Sequence, residues 1–174
     1  MKYKFLFFLF ILTFYISNSY SQTIAYANFD KIVKTSIVGK KIINYFSEKN
    51  KKMMKEIKLK ESKIIESEKS LLSQKNILES DEYVKKVDSI KIEIDEFNNY
   101  RKKQLKIFKS EKDAVTKAFI NEINKILKDY AELNKIDVIF SSKQLLIGKS
   151  SLDLTENILK DVNKKITKFQ INEW

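Results

Sequence analysis

The chain has 174 residues, with 34 basic and 23 acidic side chains, a formal charge of +11, no Cys, His or Pro and only two Gly. Without Cys or His it can build no disulfide, no thiolate or imidazole metal site and no histidine-based acid and base pair, which removes most enzyme chemistry. The acidic residues mostly alternate with Lys along helical stretches, the pattern of solvated helix faces rather than of a catalytic carboxylate pair, so no enzyme activity, cofactor or metal is expected.

Lys2 and Lys4 precede an apolar run from Phe5 to Ile16 that ends in Ser17-Asn18-Ser19-Tyr20-Ser21. The run is shorter than the roughly 20 apolar residues of a spanning helix and closes on small residues, the form of a secretory signal peptide cleaved after Ser21. Residues 1–21 are set apart on that basis, and Gln22 is the expected mature N-terminus. No Cys follows the run, so a lipid-modified cysteine is excluded. Removing Lys2 and Lys4 leaves 32 basic against 23 acidic residues, a charge of +9. That charge suits an anionic partner, while export argues against nucleic acid as the physiological one.

Thr23 to Phe29 is short, alternating and β-prone, and predicts a first strand followed by a helix turn capped by Asn28 or Asp30. Thr35 or Ser36 can then cap a long helix through Ile42, Ile43 and Phe46. After Gly39 the chain runs past Phe140 with no Gly or Pro, so nothing in the middle punctuates a helix. Ile57, Ile64, Leu71 and Leu78 recur every seven residues, but the intervening seam positions are Lys60, Ser67 and Gln74, so only half of this seam is apolar. Tyr83, Val87, Ile90, Ile94 and Phe97 step by four and three, a full heptad pattern for a returning helix. The turn is expected near Glu79-Ser80-Asp81-Glu82, with Ser80 or Asp81 as N-cap. An ascending helix of roughly 40 residues reaches about 60 Å. A hairpin of that length has little core of its own, so the body is expected to oligomerise.

Ile136 to Phe140 returns to β character, and Gln144 to Ile147 is expected to pair with it as a hairpin across Ser141-Ser142-Lys143. Gly148 and Ser150-Ser151 break that pattern before a final helix whose start, Asp153-Leu154-Thr155-Glu156, has the form of a capping box. Ile158, Leu159, Val162, Ile166 and Phe169 give this helix one apolar face. The expected fold is α+β and mostly helical. Residues 22–38 and 135–174 make a small β-containing oligomerisation body, and residues 39–134 a long antiparallel helical hairpin arm. Tyr26, Phe29, Ile139, Phe140 and Ile147 read as core or subunit interface of that body.

The segments IAYANFDKIVKTS and NKIDVIFSSKQLLIGKSSLDLTENILKDVNKKI, on either side of a long charged hairpin and after an export signal, resemble the OmpH/Skp family of periplasmic chaperones across the mature chain. The resemblance implies a periplasmic homotrimer whose arms enclose a cavity and hold unfolded outer-membrane β-barrel proteins without ATP. It supplies no catalytic residue. It also raises lipopolysaccharide or anionic membrane as a contact, although no basic cluster for that role can be matched here residue by residue.

The arm's charge is clustered. From Lys49 to Lys63, Lys49, Lys51, Lys52, Lys55, Lys58, Lys60 and Lys63 face only Glu56 and Glu61, giving +5. From Phe97 to Lys112, Arg101, Lys102, Lys103, Lys106, Lys109 and Lys112 face only Glu111, again +5. A hairpin turning near Ser80 puts residue 49 across from about 111 and residue 63 across from about 97, so the runs form one belt. The outer arm, Ile64 to Glu96, has five Lys against nine acids and is unsuited to docking on an anionic membrane. The belt, with Met53, Met54 and Phe108 inside it, is the candidate client-binding surface. Long-range attraction would gather acidic clients, and flexible Met beside aromatic residues can repack against varied apolar segments. Met53, Ile57 and Phe108 can equally serve as plain seam residues of the hairpin. Two other readings share the export signal and the arm: a structural coiled-coil protein of the envelope, opposed by the sparse seam, and a peripheral binder of anionic lipid, which salt would strip from vesicles.

Overall fold

The structure is a computed structural model that describes residues 22–171. The expected signal peptide lies outside the described residues. Among the described residues, four helices and two strands follow in the order β1 (Ile24–Ala27), α1 (Phe29–Thr35), α2 (Ile37–Gln74), α3 (Ser80–Leu133), β2 (Val138–Ser141) and α4 (Thr155–Lys165). Single 3-10 turns, Ser142–Gln144 and Ser150–Leu152, lie between β2 and α4.

Local chemistry sets the first boundaries. Asn28 Oδ1 accepts from the Lys31 amide at 2.9 Å and starts α1, and Ser36 Oγ accepts from the Gly39 amide at 3.2 Å and starts α2. Thr35, the other candidate cap, instead donates its hydroxyl to the Lys31 carbonyl. The corner between α1 and α2 is so tight that a Cβ on Gly39 would overlap the Val33 carbonyl oxygen, which makes glycine a packing requirement there.

β1 and β2 pair in parallel, with Ile24 opposite Val138 and Ala27 opposite Ser141. A parallel pair needs a long crossover, and here the whole arm is that crossover. On the other edge of β1, Asp153 bridges to Tyr26 and the Leu154 amide donates to the Tyr26 carbonyl at 2.8 Å. The core lies where the terminal pieces meet the lowest turns of both long helices. It joins Ala25, Ala27 and Ile32 to Val38, Ile42 and Phe46 of α2, to Val115, Phe119, Ile123 and Ile126 of α3, and to Ile158, Val162 and Ile166 at the C-terminal helix. Full burial of side chains such as Phe119, Ile123 and Ile158 stabilises the body by roughly 2 kcal/mol each. Phe169, beyond the end of α4, completes this face by packing edge-on against Phe119 with ring centroids 5.5 Å apart.

Three expectations are corrected. The turn at the arm's tip occupies residues 75–79, and Ser80 and Asp81 are already helical. Glu79 is the N-cap residue and makes no side-chain cap bond, so Asp81 and Glu82 act on the helix start only through their charge. Gln144 to Ile147 forms no strand. The 3-10 turn at Ser142–Gln144 carries the chain off β2, and Leu146 and Ile147 stand fully in solvent. The capping box at Asp153 does not close either. Asp153 Oδ1 accepts from the Thr155 amide two residues on at 2.9 Å, while Glu156 turns away to pair with Lys31 at 2.6 Å. A sequence spacing cannot tell a reciprocal box from this shorter turn, because in both the Asp153 carboxylate accepts from an amide at the start of the helix.

Candidate binding surface of the arm

The pairing of α2 and α3 brings the two basic runs side by side. Lys49 pairs with Glu111 at the base, Lys60 Nζ sits 4.8 Å from the centre of the Tyr100 ring, and Lys86 Nζ donates to Gln74 Oε1 at 2.9 Å near the tip. These contacts set the register that places residue 63 opposite 97. The Lys49 to Glu111 contact is the best covered. The Glu111 carboxylate is nearly buried, it also accepts from the Tyr45 hydroxyl at 3.3 Å, and its hydrogen bond raises the Lys49 ammonium above the ordinary value. Higher up, burial first and the Glu56 carboxylate second push the Tyr100 phenol above its ordinary value.

The belt residues do not share one face. Lys51, Lys52, Lys55, Lys58, Lys60 and Lys63 on α2, and Arg101, Lys102, Lys103, Lys106, Lys109 and Lys112 on α3, are all exposed, and Lys49 is half-buried. At 100° per residue these positions cover most of the circumference of each helix. The apolar members divide. Ile57 is buried and Met53 half-buried in the seam, and Phe108 packs edge-on against Phe46 at 5.8 Å, so Phe108 belongs to the top of the body's core. Met54 is about half exposed.

A second pattern runs beside the seam. Ile43, Met54 and Ile65 recur every eleven residues, which is three helical turns to within about 20°, and Leu72 continues the row. All four are exposed and lie roughly a quarter turn past the Ile57, Ile64, Leu71 seam. Leu105 lies at the exposed edge of the α3 seam, and antiparallel direction puts it on the same flank. The foot of the arm fixes this assignment independently. There a cleft of about 460 Å³ opens on the same flank, with Ile43, Phe46 and Asn50 of α2 facing Phe108, Lys112 and Thr116 of α3, above Val33, Lys34, Ile42 and Phe119. The opposite flank is richer in polar groups. Its shallow grooves are lined by Lys63, Ser67, Ser70, Leu71 and Gln74 of α2 against Lys86, Ser89, Ile90 and Glu93 of α3, and lower down by Lys60, Ile64, Glu96, Phe97 and Tyr100.

Sequence reasoning missed Ile43, Ile65, Leu72 and Leu105 as a surface, because a heptad reading treats non-seam apolar residues as noise. The eleven-residue spacing was the signal available. No helix among the described residues is long and apolar enough to cross a membrane. Nor do three or more of their Asp and Glu side chains gather as a cluster that could hold a metal ion.

The described residues form a small body of two parallel strands and short helices with one long antiparallel helical hairpin as the crossover between the strands. The sequence profile of the OmpH-like outer membrane protein family matches residues 23–162, and the chain belongs to that family. The crystal structure of an OmpH-like outer membrane chaperone from Caulobacter crescentus has the same fold, with a TM-score of 0.77 at 12% identity. The match covers 86% of this chain and 89% of that one. No curated protein matches the chain.

Proposed function

We propose that the mature chain is a periplasmic holdase chaperone. It binds unfolded outer-membrane β-barrel proteins between its arms and keeps them from aggregating without ATP. Family membership supports the class, and the structural neighbour is itself described as an outer membrane chaperone. The observation that carries the reading is the arm's composition in space. Two long helices leave Met54, Leu59, Leu105 and Ile107 exposed inside the basic belt, and Ile65, Leu72 and Ile92 exposed on the outer arm. A rod with only a mechanical role would bury or replace such residues, whereas a surface that holds many unlike sequences needs weak, dispersed apolar contacts.

The working unit is a homotrimer built through the body. Ile24, Val138, Phe140, Leu145, Leu146 and Ile147 form exposed apolar surface at and beside the two-stranded sheet. The outer edge of β2 pairs with no strand among the described residues. Apolar area next to a free strand edge is the combination that association removes from water. The β-prone segment Gln144 to Ile147, unpaired within one chain, would find its partner in the next.

The test is dilution of a urea-unfolded β-barrel membrane protein with and without the mature chain and with no nucleotide. Aggregation suppressed at about three chains per client is the expected result. An unchanged aggregation rate overturns the reading. Salt-sensitive binding to anionic vesicles alongside an unchanged rate would assign the belt to lipid.

A further inference from the structure

Resting on the holdase reading, we infer that the two flanks of the arm are unlike in function. The client is held by the flank that carries Ile43, Met54, Ile65 and Leu105, and it is seated there as an extended segment with apolar side chains at alternate positions and acidic residues at the end nearer the body.

The argument begins with direction. The basic side chains surround the arm, so they attract without choosing a face. The exposed apolar row does choose one, and it is continuous with the cleft between Phe46 and Phe108 at the arm's foot. The opposite flank sets Lys63, Glu66, Lys86, Glu93 and Ser and Gln side chains around Leu71 and Ile90, and an apolar segment seated there would have to desolvate those polar groups.

The dimensions and charge of the flank select the occupant. From Ile43 to Leu72 the row is about 44 Å long. A membrane-spanning β-strand of about 10 residues, at about 3.3 Å each, is about 33 Å long and apolar on one side only. Such a segment lies within the row with its apolar side against the arm and its polar side in water. A helix with a full apolar face would need a wider groove than one quarter of this narrow hairpin supplies. Lys34 and Lys112 frame the cleft and Lys58 and Arg101 lie beside the lower row, while Glu61 and Glu68 lie along its upper part, so the cations stand at its lower end. Acidic residues at the end of the segment nearer the body answer that charge.

Four residues allow a matched test. Met54 and Leu105 lie on the apolar flank, Leu59 and Ile107 lie off it, all four sit in the belt, and their exposures are close, between 44 and 55%. The variants Met54→Glu with Leu105→Glu, and Leu59→Glu with Ile107→Glu, therefore change net charge equally and remove similar exposed area. The probe is a labelled 11-residue peptide of nine alternating Leu and Ser residues with two Asp at one end, titrated into the mature chain by fluorescence anisotropy. Each variant is also weighed by light scattering. The inference expects the first pair to weaken the peptide at least tenfold and the second to leave it within twofold.

Equal effects of the two pairs, or no binding of the peptide by the unmodified chain, overturn the inference. So does a changed assembly mass for the first pair with peptide affinity retained, which would make this flank a contact between copies. The same proteins enter the β-barrel aggregation assay. If the unmodified chain does not suppress aggregation while the peptide still distinguishes the flanks, the holdase reading falls and the flank assignment stands.

Discussion

Glu111 shows how one residue can hold the foot of a long arm. Its carboxylate is nearly buried between α2 and α3, pairs with Lys49 and accepts from Tyr45, and Lys49 in turn lies 5.7 Å from the Tyr45 ring centre. Glu111→Gln keeps the shape and removes the charge. Because Lys49 stays partly in water, the expected loss is about 1 kcal/mol, read from urea unfolding at neutral pH. The sign with pH follows from Lys49. Its folded pKa lies above the ordinary 10.5, so the pair's stabilisation is complete below pH 10.5 and is lost as pH rises through the folded value. The stability gap between the parent and Glu111→Gln is therefore constant from pH 7 to 9 and closes as the pH is taken above 10.5. A gap that persists there would assign the effect to packing instead of charge.

Along each element, burial decides how firmly the structure is held. In α2 beyond Phe46 only Ile57 and Leu71 are buried, and in α3 no residue before Val115 is. Helices with so little covered surface open locally at small cost, because their backbone bonds compete with water over most of their length. Hydrogen exchange should give amides between residues 62 and 94 at least about tenfold less protection than those between 115 and 126. Uniform protection along α3 would contradict this.

The same contrast explains what could be read from the sequence. The caps at Asn28 and Ser36, the hairpin register and the apolar face of α4 were legible because each rests on local chemistry or on a period. The tip was not, since residues 75–79 contain no Gly or Pro and the helices simply stop where pairing gives no further burial. Gln144 to Ile147 has strand composition but no partner within the chain, and propensity alone does not form a ladder. The apolar flank was hidden for a third reason. Its members lie outside the heptad seam and gain meaning only when two antiparallel helices are placed together.

On the proposed holdase reading, charge and apolar surface would divide the work across the whole molecule. The belt adds +5 from each helix at the lower arm while the outer arm carries −4, so an acidic chain would be drawn toward the foot, where the cleft lies and from which the apolar row runs outward. Capture by charge is fast and unselective, and holding by dispersed apolar contacts suits a client with no fixed shape. In the proposed trimer, the body's exposed Leu146 and Ile147 would supply apolar surface that brings three arms round one client. The most direct test is the mass, by light scattering coupled to size exclusion, of the complex that forms when a urea-unfolded eight-stranded β-barrel protein is diluted into the mature chain without nucleotide. The account predicts one soluble species of three copies and one client. A client that elutes alone or is lost as aggregate, with the chain's own mass unchanged, would contradict it.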